Sequence, residues 1–257
     1  MVKQTKKVYQ ASKITTTVAS GEYLMKVDAN GKVTIISLDN LKTSIYGGMN
    51  MNAIEDGIFI MFHRNSDNYP LMVKPHKWPS YQSSGEIAEG VVIVEGGKIL
   101  VVAPTETALT WSSAAVSGGA TTTTDRVVAM NDWAGRANTT SILNHSTSSA
   151  VTNTSSYAPG YCNNYSRVNA NGNGMTAGKW WLPSLGEMMM IYANMTKVNY
   201  ALSLINGADQ LQENWYWTST EYSAATAWRL YLGTGGVGTY TKAGGTNRVR
   251  AVSAFLY

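Results

Sequence analysis

Cysteine is almost missing from this chain: Cys162 stands alone, so no intrachain disulfide can form. Stability must come from a packed core or from oligomerisation. Charge is scarce as well. Only 14% of residues are charged, so the surface has to rely on Thr, Ser and Asn. The net charge is +4, and apart from Lys3, Lys6 and Lys7 no stretch gathers several cations. Without a basic stripe to neutralise phosphates, a nucleic-acid partner is excluded. No window approaches about 20 apolar residues, so no membrane insertion is expected. The first lysines are followed by no apolar run, so no signal peptide is expected. His63 and His76 have no carboxylate or Cys at ligand spacing, and no metal site is expected. The three histidines lie beside no nucleophile motif, and no carboxylate pair stands in a recognisable context. No catalytic residues, no cofactor and no enzymatic activity are therefore expected.

Hydrophobic residues make up 44% of 257, enough to fill the core of one large or two modest domains. Many Gly, Tyr and Trp beside few charges fit an extracellular or virion protein better than a cytosolic enzyme. Residues 1–20 are polar and Thr-rich. Two apolar runs then flank Asn30-Gly31 between Tyr23 and Ile36, which predicts a hairpin, since both turn residues tolerate positive φ. Leu38, Leu41 and Ile45 predict a short helix over Ser37–Ile45. Gly57–Phe62 reads as a buried strand, and Pro70, Pro75 and Pro79 predict loops and linker after it. A second domain is expected from Gly85, beginning with two strands around Gly96-Gly97 within Ala88–Ala103. Ser117–Thr124 reads as solvated spacing; it lacks the Gly-Lys-Ser/Thr of a phosphate-binding loop. Helices are predicted within Asn131–Leu143 and Tyr157–Tyr165.

The clearest helix follows Ser184. Ser184 and Glu187 form a capping box, in which each side chain satisfies the other residue's free backbone N–H. Leu185, Met188, Met189, Tyr192 and Met195 make its expected apolar face, the methionines serving as adaptable core filler. Asn199–Leu204 adds a helical turn or two, stopped at Asn206-Gly207. After Asn214 the pattern is strand-like, apart from a polar segment rich in Gly and Thr.

Trp181-Leu182-Pro183-Ser184, Glu187, Tyr216-Trp217-Thr218-Ser219-Thr220-Glu221, Ala227-Trp228 and Val249-Arg250-Ala251-Val252-Ser253-Ala254-Phe255 occur in that order. Together they resemble the C-type-lectin-like variable proteins of diversity-generating retroelements, the kind found at phage tail tips. The resemblance covers roughly Gly85–Tyr257. It implies an α+β fold, two helices on a twisted antiparallel sheet, with residues 85–257 as the ligand-binding domain. Residues 1–84 are then a small β-rich attachment and oligomerisation region with a linker. It also implies a receptor-binding adhesin on a virion tail tip or tail fibre, or on a bacterial cell surface. Its partners would be a bacterial surface ligand, protein or glycan, and other tail proteins through the N-terminal region. A homo-oligomer is expected, a trimer by analogy with tail fibres.

In that family the retroelement mutates adenines, typically in AAY codons, and the resulting NNY codons cannot encode Lys, Glu, Gln, Trp or Met. Between Glu213 and Phe255 the residues of those types are Glu213, Trp215, Trp217, Glu221, Trp228 and Lys242, which the resemblance makes scaffold. The implied variable, ligand-binding positions are Ala224, Ala225, Thr226, Arg229, Tyr231, Gly233, Thr234, Gly236, Gly238, Thr239, Tyr240, Thr241, Ala243, Gly244, Gly245, Thr246 and Asn247, with Tyr222 beside them. Tyr222, Arg229, Tyr231 and Tyr240 are the expected energetic anchors, because binding hot spots favour Tyr and Arg. The chain has neither the paired cysteines nor the calcium-binding tripeptides of animal C-type lectins, so calcium-dependent sugar binding is not implied. Formylglycine-generating enzymes share the broader fold but need reactive cysteines together, and Cys162 is single. The alternatives are a structural virion or bacterial surface decoration without a specific ligand and, last, an enzyme of the formylglycine-generating fold.

Overall fold

The computed structural model describes Tyr23–Val27, Val33–Ser37 and residues 55–254. The chain divides into two units, Met1–Ile54 and Glu55–Tyr257. In the first, β1 (Tyr23–Val27) pairs antiparallel with β2 (Val33–Ser37), Leu24 opposite Ile36 and Val27 opposite Val33. This is the hairpin expected around Asn30-Gly31. Ser37 ends β2 and does not open a helix; the rest of the expected helix, 38–45, falls outside the described residues.

The second unit begins with β3 (Gly57–His63) and β4 (Pro70–Val73). A 3-10 turn at Pro75–Lys77 leads into α1 (Trp78–Ser83). Next come β5 (Gly90–Glu95), β6 (Lys98–Val102) and β7 (Thr107–Leu109). Four short helices follow: α2 (Arg126–Met130), α3 (Gly135–Asn144), α4 (Ser149–Thr152) and α5 (Ala158–Asn164). A small hairpin, β8 (Arg167–Val168) with β9 (Gly174–Met175), precedes α6 (Leu185–Ala193) and α7 (Met195–Ser203). The chain closes with β10 (Trp215–Glu221), β11 (Thr226–Tyr231), β12 (Gly236–Thr241), β13 (Asn247–Val249) and β14 (Val252–Ser253).

Two five-stranded sheets organise this mixed α+β unit, in the orders β14-β6-β5-β3-β4 and β12-β11-β10-β13-β7. Helix α6 packs on β10 and β11, and α7 packs on β3 and β5. One core therefore joins Ile60, Phe62 and Val91 of the first sheet to Leu185, Met188 and Ile191 of α6. It continues to Tyr216, Trp228 and Leu230 of the second sheet. β5 is central, and its Val-rich run Val91–Val94 is buried on both faces. The capping box forms as its spacing predicts: Glu187 N–H donates to Ser184 Oγ, and Ser184 N–H donates to Glu187 Oε2.

The sequence reading needs correction in several places. The boundary expected at 84/85 falls inside the second unit, because β3 pairs with β5 along Gly57–Met61. The three prolines do not mark linker. Pro70 opens the edge strand β4, Pro75 opens the 3-10 turn, and Pro79 sits in the first turn of α1. These are positions where a missing N–H costs nothing. Helix α3 starts only at Gly135, since Asn131–Ala134 are turned by the Asp132 side chain, whose Oδ1 accepts from Ala134 N–H. On α6, Met190 and Ile191 take core positions, while Met189 and Tyr192 are half-buried against the core, and Met195, also half-buried, opens α7. A helix wedged between two sheets buries a wider sector than a single stripe. The expected closing strand is split at Arg250-Ala251, where the chain passes from one sheet to the other. Arg250 is buried there, and its guanidinium donates to Glu106 and to the carbonyls of Ala103, Pro104 and Asp209.

Candidate functional site

The second sheet has one face on the core and one face outward, and strand alternation sorts its residues. Trp228 and Leu230 belong to the core, so Arg229 and Tyr231 stand on the other side of β11. Register then brings Trp215 opposite Tyr231 and Trp217 opposite Arg229 on β10. On β12, Gly236, Gly238 and Tyr240 lie opposite Tyr231, Arg229 and Ala227. The result is an aromatic platform around one guanidinium. Arg229 Cζ lies 4.1 Å from the Trp215 ring centroid and 4.4 Å from that of Tyr240. Trp215 and Tyr231 pack at 5.4 Å between centroids, and Trp217 and Tyr240 at 6.1 Å. Trp217 is fully buried as the floor, with Nε1 donating to the Leu109 carbonyl at 3.0 Å. Arg229 Nη1 donates to Asn247 Oδ1 at 3.0 Å, which reaches across the sheet to β13. Burial lowers the Arg229 pKa from its ordinary value.

Beneath the turns at one end of this sheet lies a buried ion pair. Glu221 and Lys242 are fully buried and joined Nζ to Oε2. Lys242 Nζ also donates to the carbonyls of Val116 at 2.8 Å and Ala224 at 3.0 Å, which uses all three ammonium protons. The ammonium lies 4.4 Å from the Trp111 ring centroid. The Glu221 carboxylate accepts from the backbone N–H groups of Gly118 and Ala120. Ser117–Thr124 is therefore not solvated spacing: it wraps a buried carboxylate. Gly118 is required there, because a Cβ would come within 2.7 Å of the Ile142 side chain. The Lys242 main chain ties in as well, with Ala225 O accepting from its N–H and its carbonyl accepting from Trp111 and Ser112.

Not all the expected ligand positions share one surface. Arg229, Tyr231, Gly236, Gly238, Tyr240 and Asn247 meet on the platform side. Ala224 and Ala225 are exposed in the β10–β11 turn, and Ala243, Gly244 and Thr246 in the turn after Lys242, with Gly245 half-buried among them. Lys242 links these two turns. Gly233 and Thr234 lie in the β11–β12 turn at the other end. Thr226, Thr239 and Thr241 alternate onto the core side, Thr239 opposite Trp228. Tyr222 does not join the expected anchors; its ring packs edge-on against Trp228 at 5.3 Å, beside the core. Asn247 is buried. Of the expected scaffold residues, Trp217, Glu221, Trp228 and Lys242 are buried, Trp215 is half-buried and Glu213 is exposed. Trp215 is thus both support and surface. Its facing glycine is constrained: a Cβ on Gly238 would stand 3.1 Å from Trp215 Cη2.

Other concavities lie away from this face. A cavity of about 290 Å³ runs between the β5–β6 turn and α6, lined by Glu95, Lys98, Trp133, Met189 and Met190. A neighbouring one of about 200 Å³ adds Trp181 and Glu187. The Lys98 ammonium already covers the Trp133 ring at 4.1 Å. His63 is not an isolated polar residue, for its Nδ1 lies 2.8 Å from both oxygens of the buried Glu89. The two are 26 residues apart, beyond any local spacing rule. Among the described residues, no three His, Cys, Asp or Glu side chains stand together as a metal-ligand set. Cys162 is buried, and burial raises its thiol pKa well above the ordinary value. Compared with family models, curated proteins and solved structures, the chain matches none.

Proposed function

We propose that this chain is a receptor-binding protein with a C-type-lectin-like domain, carried on a virion and presenting the outer face of the β12-β11-β10-β13-β7 sheet to a bacterial surface ligand. The observation that carries the reading is the Arg229 guanidinium held between Trp215 and Tyr240 on an open sheet face. Tyr, Trp and Arg supply contact energy at low entropy cost, and Gly, Ser and Thr around them supply shape and adaptable hydrogen bonds. The buried Lys242–Glu221 pair holds the flanking turns, so the face is organised before a ligand arrives. Helices α6 and α7 between the sheets, and the return of β14 to pair with β6, support the C-type-lectin-like assignment.

Diversification acts, in this reading, on exposed positions of the face and its turns, chiefly Ala224, Ala225, Thr234, Tyr240, Ala243 and Thr246, with half-buried Tyr231 beside them. The flanking DNA then holds a near-copy of the 3′ coding repeat that differs only at template adenines, beside a reverse-transcriptase gene. Differences spread over all four bases would remove that claim. The Met1–Ile54 unit serves attachment and oligomerisation. Light scattering of the full chain and of residues 55–257 tests this, with a multimer expected only for the full chain; equal subunit numbers would exclude that role.

A further inference from the structure

We infer that the ligand of this face is an anionic sugar, whose carboxylate binds Arg229 and Asn247 while the ring stacks on the platform aromatics. The inference rests on the outer sheet face being the binding site. From Tyr222 to Asn247 the sequence holds no Asp or Glu, and its cations are Arg229 and Lys242. Glu221 neutralises Lys242. Among the described residues, no carboxylate stands within ion-pair distance of Arg229, whose nearest hydrogen-bonding partner is the neutral Asn247 amide. A half-buried cation without a counter-charge favours a ligand that brings one.

The hydrogen bonds point the same way. Arg229 Nε and Asn247 Nδ2 are buried and have no acceptor among the described residues. Asn247 itself is only 6% exposed. Two neighbouring N–H donors without acceptors are rare in folded chains, and each favours an outside oxygen. A planar carboxylate matches a guanidinium fork. Trp215 and Tyr240 flank this fork, with Tyr231 packed beside Trp215, and the negative quadrupole of such ring faces suits the C–H face of a pyranose. An open sheet face with flat rings fits a sugar chain better than a peptide, whose side chains need separate pockets.

Access depends on Tyr240. Its ring covers the guanidinium from the edge strand β12 and is 38% exposed, so it can turn outward and uncover Nε. The slots for the two covering rings exist because of glycines: a Cβ on Gly245 would stand 3.1 Å from Tyr240 Cε1, as one on Gly238 would from Trp215.

The test is calorimetric titration of the full chain with oligoglucuronate, oligogalacturonate and α2,8-oligosialate, each against its carboxyl-reduced neutral form, with a polyglutamate peptide alongside. At least one acidic oligomer is expected to bind roughly tenfold or more tightly than its neutral form, a ratio set by a charge-assisted pair. Arg229→Gln should erase that ratio while leaving the thermal midpoint unchanged. Acidic and neutral oligomers bound equally, no acidic oligomer bound, or polyglutamate bound in their place would each overturn the inference. Its failure is separable from that of the binding face. If Arg229→Gln leaves adsorption to bacterial cells intact while Tyr231→Ala with Tyr240→Ala removes it, the face stands and the anionic ligand falls.

Discussion

Glu187 shows how much one side chain carries. Its Oε2 accepts from Ser184 N–H at 2.9 Å and from Trp181 Nε1 at 3.1 Å, capping α6 and fixing the tryptophan. Burial pushes its carboxyl up to about 7, helped by nearby Asp132 and opposed by the hydrogen bonds from Ser184 and Trp181. A carboxyl with a raised pKa binds its proton more tightly in the folded chain than in the unfolded one. Its contribution is therefore full below the ordinary value of 4.5 and is lost as pH rises toward about 7. Urea unfolding should show stability falling between about pH 5 and about pH 8, and Glu187→Gln should flatten that slope. An unchanged slope in the variant would assign the dependence to another group. The cap was legible in the sequence, because a capping box is a local spacing of two residues. Arg229 was legible as an anchor by residue type. Its sandwich was not, because Trp215 and Tyr240 reach it only through strand register. The packing of Tyr222 against Trp228 was hidden for the same reason, since only the folding of β11 back onto β10 brings the two rings together.

Among the elements, the turns of the second sheet depend on one ion pair. Lys242 fills its three donor sites with Glu221 Oε2, Val116 O and Ala224 O, and Glu221 is satisfied by Gly118 and Ala120 besides. Lys242→Met leaves a buried carboxylate without its cation, which costs about 3–5 kcal/mol. The midpoint of chemical unfolding should drop accordingly, and Glu221→Gln in the same chain should recover much of the loss. A single variant as stable as the native chain would show that the pair does not hold the turns. Residue type alone set Glu221 and Lys242 apart, as charged groups that the family resemblance implied to be scaffold. What no local pattern revealed was their common partner, the Ser117–Thr124 loop, about a hundred residues away. Low-complexity sequence reads as solvated because its side chains carry little information. Here its backbone N–H groups make the contacts. The prolines of β4 and α1 misled for a related reason: each sits at an element's start, where proline is tolerated, and the residue alone does not distinguish a start from a break.

At the scale of the molecule, two sheets and the α6–α7 pair share one core, so the outer face of the second sheet is backed by packed structure throughout. Substitutions at its exposed positions are therefore expected to cost the fold little. The backing also separates the strands that hold the face from the side chains that the proposed function assigns to a ligand. The mixed α+β class, the two principal helices and the closing strands were legible from the capping box and the tryptophan-rich blocks. Strand β3 was legible as an apolar run, but β4 and the pairing of β3 with β5 were not, because an intervening helix and three prolines separate β3 from β5. Several copies on one particle would raise avidity by about 10²–10⁴ over a single weak site. The central claim, that the outer face of this sheet binds a bacterial surface, is tested most directly by adsorption. Full chain carrying Tyr231→Ala and Tyr240→Ala should lose adsorption to bacterial cells while keeping the native thermal midpoint within a few degrees. Adsorption equal to that of the native chain, with the fold intact, would contradict the claim.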